Sequence, residues 1–328
     1  EFEAYAQSVK IEKYEPKFAR DAYQEYSLLQ EFEKQLRDIS GYEAYLEDIQ
    51  EKAKGQSGIA IFQNESRFSM ENARKTAAAF APLAGTRPVF VNSHTFHDTV
   101  DFPATDFLVL CLLFYMVLIL VVWERERGLT ALLFPLLRGR RHLIAAKMGT
   151  LFFGSVFANL VFWGMNAVLA SAKYGQMNWE APIQSVSGYM GCALSVTSGE
   201  YLLLFVISKI LICYIVSLIL VFFALHIRRT AMLYVQTALL FGVSFGLYQL
   251  IDGNSVFQLI KYINLIPFQQ VNSIYRYYFN VSLMLRPVSM MPLYWAMLAL
   301  LAGVFICLNL YGFAAKRLTK APEPPGAG

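Results

Sequence analysis

From position 107 onward, long apolar runs alternate with polar connections, and this pattern constrains the fold more than any other feature of the chain. A helix needs about 20 apolar residues to cross the hydrocarbon of a bilayer, where every backbone N–H and C=O has to be satisfied within the segment. Five stretches meet that need: 107–123, 148–170, 201–227, 231–251 and 293–315. With 56% hydrophobic and only 16% charged residues, the chain is too apolar for an ordinary soluble enzyme of this size. Charge is concentrated in residues 1–104. The expected fold is therefore an all-α polytopic membrane protein with an aqueous region at 1–104, a membrane region at 105–315 and a polar tail at 316–328 predicted to be disordered.

The basic residues orient the spans. The connection between the first and second runs carries Arg125, Arg127, Arg138, Arg140, Arg141 and Lys147. The connection between the third and fourth runs carries Arg228 and Arg229, and the tail carries Lys316, Arg317 and Lys320. All belong on the cytoplasmic side. Residues 172–199 and 252–292 are longer but carry only Lys173, Lys261, Arg276 and Arg286, so they are expected to face outward. Alternation places 1–104 outside as well. His226-Ile227-Arg228-Arg229-Thr230 is short enough to force the third and fourth spans into an antiparallel hairpin.

The outer region is predicted to be mainly helical with a small β element. Tyr5, Val9, Tyr23, Leu28, Leu29, Phe32 and Leu36 form an apolar stripe, Ser40-Gly41 is expected to interrupt it, and a second helix follows over about 42–53. Residues 59–62 and 88–91 are the strand candidates, with Ser69 as the cap of a helix to about Phe80. The outer connection 252–292 is too apolar for a solvated loop and is expected to be interfacial or re-entrant, with Asn264, Asn272, Tyr275, Tyr277, Tyr278 and Asn280 at headgroup level. The sequence begins at Glu1 without a basic and apolar leader, so an exported first region implies a further span ahead of it.

Chemistry within the chain has little support. No phosphate-cradling Gly-x-x-x-x-Gly-Lys-Ser/Thr loop, His-Glu-x-x-His or Gly-x-Ser-x-Gly occurs, and the four cysteines have no zinc or disulfide spacing. His94, His97, Asp98 and Asp101 match no standard metal site and are expected to be solvated linker residues. The net charge of +4 is gathered at span ends rather than in an aromatic-studded stripe, which argues against nucleic-acid binding. Lys209 is the one ionisable residue well inside an apolar run. Burying it costs roughly 2.5–3.5 kcal/mol on insertion scales, so it marks either an intramembrane site or an outer boundary to which its stem reaches. Asp106, Glu200 and Asp252 stand at outer span ends and are expected to stop the helices there.

Glu124-Arg125-Glu126-Arg127-Gly128-Leu129, then Leu132-Leu133, Pro135, Arg138, Arg140-Arg141 and Lys147, resembles the elbow of the type-2 permeases of ATP-binding-cassette transporters. Leu129 stands where a Thr is usual. The segment Tyr262-Ile-Asn-Leu-Ile-Pro-Phe268, with the aromatic-rich stretch after it, is similar to permeases of Gram-positive bacteria. The resemblance implies a multi-pass cell-membrane protein with a cytoplasmic C-terminus, six spans with the first absent from this sequence, and a coupling helix near 124–143. That helix would dock on a separate ATPase subunit, with Glu124, Arg125, Glu126, Arg127, Gly128, Pro135, Arg138, Arg140 and Arg141 at the contact. The expected partners are that nucleotide-binding subunit, a second permease copy or homologue, and membrane lipid. ATP and Mg belong to the partner, this chain holding no cofactor and no catalytic centre of its own. The implied function is export of a peptide, lipid or drug-like cargo. The alternative is a non-transporting receptor or scaffold whose outer helical domain binds a ligand or partner, and an ion-coupled carrier ranks last because it needs paired charges at midplane.

Overall fold

The computed structural model describes residues 22–59, 67–127, 139–227, 229–251, 261, 264–265, 270–283 and 286–315. Helix dominates these residues, and five stretches are long and apolar enough to cross a membrane: Ser93–Glu126, His142–Tyr174, Ser198–His226, Thr230–Leu250 and Met290–Gly312. The chain divides into two compact units, one comprising 1–99, 169–203 and 272–290, the other 100–168, 204–271 and 291–328.

In the first unit, α1 (Ala22–Ile59) packs against α2 (Arg67–Phe80), with a short 3-10 turn Ala81–Leu83 and α3 (Ser93–Val100) following. The predicted interruption at Ser40-Gly41 does not occur, because α1 runs through it. A helical glycine costs about 1 kcal/mol. The neighbouring Tyr42 is 1% exposed, its ring 6.3 Å from Tyr45, which lies edge-on to Phe80 at 6.0 Å. Burying one tyrosine ring outweighs that propensity. The same burial pushes the Tyr42 hydroxyl's pKa above its ordinary value.

The β element is also displaced. Ile59 closes α1, and 60–62 lie outside the described residues. Residues 88–91 are not a strand, since the Val89 N–H donates to Ser185 Oγ and the Val91 carbonyl accepts from Gln35 Nε2 at 2.8 Å. The two-stranded antiparallel sheet is instead β1 (Asn280–Leu283) with β2 (Arg286–Ser289), in register Asn280↔Ser289 to Leu283↔Arg286. Pro287 disguises β2 in the sequence, yet a two-stranded ribbon consists of edges, where proline is tolerated. Its carbonyl accepts from the Lys75 ammonium of α2. The remainder of the expected interfacial segment, 252–260, 262–263 and 266–269, lies outside the described residues, while Val271–Tyr275 forms the short helix α9.

Buried amides organise this unit. Gln35 Nε2 also reaches Ser93 Oγ and the Ser185 carbonyl, each at 3.1 Å, and Asn272 Oδ1 accepts from both Tyr189 and Tyr201 hydroxyls at 2.6 Å. Gly188 has φ +79, a left-handed conformation that favours glycine, and its carbonyl accepts from Arg276 Nε at 2.9 Å. Gln35→Leu removes a donor shared by buried acceptors and is expected to lower the melting stability of the purified chain by about 2 kcal/mol. Gln30→Leu, at an exposed position of the same helix, is expected to stay within about 0.5 kcal/mol. Equal melts for the two variants would show that the amide hub holds nothing.

In the second unit, α4 (Pro103–Val117) begins with proline in its first turn, where the missing N–H costs nothing, and with Asp106 at the positive end of the helix. It continues through a π-helical segment, Leu118–Trp123, into the short α5, Glu124–Glu126. The long α6 (Gly139–Tyr174), α7 (Ser198–His226), α8 (Thr230–Leu250) and α10 (Met290–Ala315) follow. A capping box starts α7: the Thr197 hydroxyl accepts from the Glu200 N–H, and the Glu200 carboxylate from the Thr197 N–H. Val109, Leu113, Ala158 and Cys213 form a buried cluster, joined by Met116 and Phe162. Gly154 makes room there, because a Cβ would meet the Met116 side chain. Of the five candidate spans, α7 is the most enclosed and α8 the most open.

Candidate functional site

Three consecutive residues at the end of the first span each reach a different helix. Glu124 forms an ion pair with Lys147 of α6, the two side chains 17% and 9% exposed. The Arg125 guanidinium donates to the Ala224 carbonyl at 2.9 Å and the Ile227 carbonyl at 2.5 Å, at the C-terminal end of α7. The final carbonyls of a helix lack intrahelical donors and carry the negative end of its dipole, so a cation there is doubly favoured. The Glu126 carboxylate accepts from the hydroxyl of Thr230, the first residue of α8. Arg127 lies over the Trp123 ring at 3.9 Å.

Of the residues expected at a coupling surface, the structure thus brings Glu124, Arg125 and Glu126 together with Lys147, and leaves Glu126 and Arg127 exposed. Gly128, Pro135 and Arg138 lie outside the described residues, and Arg140 and Arg141 occupy the first turn of α6 with only their backbone described. The sequence placed this cluster by charge alone. It held no sign that the three acidic and basic side chains would divide among α6, α7 and α8, because those contacts span 23 to 104 positions.

Lys209 has a partner that sequence reasoning missed. Its side chain is 3% exposed, and Nζ lies 2.7 and 2.8 Å from Asp106 Oδ1 and Oδ2. Trp163 and Phe205, edge to face at 4.8 Å, hold their rings 5.1 and 5.3 Å from the ammonium. One turn of α4 away from a free helix end, Asp106 does more than stop a helix, and beside it Thr105 Oγ1 accepts from Asn166 Nδ2 at 2.8 Å. The available signal was Lys209 itself, the one ionisable residue well inside an apolar run, for which a bilayer favours an ionic partner.

Other candidate groups are engaged in structure. His94 lies 2.9 Å from a Glu31 carboxylate oxygen, and a ring nitrogen of His97 bonds the Ser187 carbonyl at 3.0 Å. Among the described residues, no three His, Cys, Asp or Glu side chains gather closely enough to hold a metal ion. Burial pushes the Cys192 thiol up to about 11, leaving it protonated and a poor nucleophile at neutral pH. Comparison with protein-family models, with curated proteins and with solved structures found no match to this chain.

Proposed function

We propose that the chain is the membrane-spanning permease subunit of an ATP-driven exporter, in which the charged end of the first span receives motion from a separate ATPase subunit. The observation that carries this reading is the division of Glu124, Arg125 and Glu126 among three further helices. A push on this elbow reaches four helices at once, and polar contacts with defined directions transmit it better than greasy side chains alone. Exposed Arg127, which makes none of these three ties, is available to a partner. Such a device serves a conformational cycle, since packed helices shift between discrete arrangements rather than deforming continuously.

The charge bias places the elbow and the connection between α7 and α8 in the cytoplasm, and the first-unit segments outside. Five alternating crossings would leave the segments before the first, between the second and third, and between the fourth and fifth on one side, and the gathering of most of 1–92, 175–197 and 272–289 into one compact unit supports that topology. ATP and Mg would be held by the partner, and a second permease copy would complete the pathway. The cargo class is a peptide, lipid or drug-like molecule.

The reading is tested by purifying the tagged full-length chain from its native membranes. An ATP-hydrolysing subunit is expected to co-purify, and Arg127→Glu is expected to reduce its retention at least tenfold while leaving the melting profile of the chain unchanged. If the chain isolates without any ATPase and export is indifferent to charge reversal at the elbow, the permease reading fails and the receptor or scaffold reading replaces it.

A further inference from the structure

The π-helical segment Leu118–Trp123 has no local cause in its sequence. Leu-Ile-Leu-Val-Val-Trp contains neither proline nor glycine, the usual sources of a helix irregularity. Its explanation lies on either side of it. Along α4 the buried residues are Thr105, Val109, Leu113 and Val117, spaced four apart. An α-helix turns about 100° per residue, so each step of four advances the stripe by about 40° around the axis. A π turn takes in an additional residue and reverses that drift, and Val121, four further on, is buried again.

The same additional residue sets the facing of the elbow. If Leu118–Trp123 were α-helical, everything beyond Trp123 would rotate by about one residue, roughly 100°. Arg125 would then take the place of Glu126 opposite Thr230, and Glu124 would take the place of Arg125 opposite the carbonyls of Ala224 and Ile227. A carboxylate against the negative end of α7 is repulsive. The π register is thus the one in which all three polar contacts are made. Buried packing on one side and those contacts on the other impose it on a segment that would otherwise be α.

We propose that Leu118–Trp123 is a two-register element: π while the elbow is clamped to α6, α7 and α8, and α when it is released, turning Glu124–Arg127 by about 100° relative to the buried face of the span. π turns of this kind recur at functional sites. Both registers belong to one helix, whatever molecule moves the elbow.

The test is cross-linking in membranes with a short methanethiosulfonate linker, on the full chain with the exposed Cys111 and Cys307 changed to alanine. Glu126→Cys with Thr230→Cys reports the π register, and Arg125→Cys with Thr230→Cys the α register. Both pairs are expected to link, and Glu124→Gln, which weakens the clamp to Lys147, is expected to raise the second several-fold. Deleting Leu120 makes the helix continuous without changing how the elbow faces, so only the 126–230 pair should link, with or without Glu124→Gln. Deleting Leu112, within α4, lacks that compensation and should lower the amount of folded chain more than deleting Leu120. The proposal is overturned if the 125–230 pair never links in the undeleted chain even with Glu124→Gln. It is equally overturned if the Leu120 deletion links 125–230 as well as the undeleted chain does, or is tolerated less than the Leu112 deletion. No ATPase or ATP enters the measurement, so its failure leaves the permease reading intact and the converse also holds.

Discussion

Asp106→Asn is expected to lower the stability of the purified chain by about 3 kcal/mol, whereas Asp106→Asn with Lys209→Met recovers most of that loss. The asymmetry of the pair gives the reason. Lys209 is 3% exposed and Asp106 26%. An asparagine keeps the volume and offers an acceptor, but leaves an enclosed ammonium without its counter-charge, next to ring faces that supply only a fraction of the missing interaction. Lys209→Met alone should cost less, because the more open carboxylate can recruit water. The loss falls at the low end of what breaking a buried pair costs, since Asp106 is partly screened. Thermal unfolding in lipid nanodiscs measures the order: Asp106→Asn lowest, Lys209→Met intermediate, the double variant nearest the parent. An Asp106→Asn protein that melts with the parent would mean that the contact contributes nothing to holding α4 and α7 together.

Lys147→Glu is expected to destabilise the chain by about 3 kcal/mol and, under the proposed permease function, to abolish ATP-dependent export, and exchange of the two charges through Glu124→Lys with Lys147→Glu is expected to restore both. Two carboxylates would face each other where both side chains are largely enclosed. Repulsion there frees the elbow from α6, while the Arg125 and Glu126 contacts with α7 and α8 remain. The exchange separates two explanations. Recovered stability with recovered export shows that the contact itself transmits motion. Recovered stability with export still absent shows that the sign of each charge matters to a partner, and the coupling role then belongs to the docking surface. Export at the parental level in Lys147→Glu, with the protein folded, would remove the elbow from the mechanism.

The spans were legible for a simple physical reason. Hydrocarbon tolerates no unsatisfied backbone, so a run of about 20 apolar residues has one structure open to it, and all five expected spans coincide with long apolar helices. The helix ending at Phe80 was legible from its pattern, but it begins at Arg67, so Ser69 lies within its first turn rather than capping it. The departures in secondary structure fell in the first unit, where several local structures compete. There Gly41 argued for a break that the burial of Tyr42 overruled, and Pro287 concealed a strand whose residues pair with others only three to nine positions away.

The candidate site divides in the same manner. Sequence alone determined that 124–127 would be a charged end of the first span and that Lys209 would be an isolated charge in apolar surroundings, because composition fixes the medium each residue meets. Which charge answers which was decided only by tertiary structure. Asp106 and Lys209 are 103 positions apart, and the elbow's ties run to α6, α7 and α8. The π turn at Leu118–Trp123 belongs to this second class as well. No residue within it asks for that geometry. The packing stripe before it and the polar contacts after it require facings that a regular α-helix cannot satisfy together, and only the folded chain brings both requirements to bear on the same six residues.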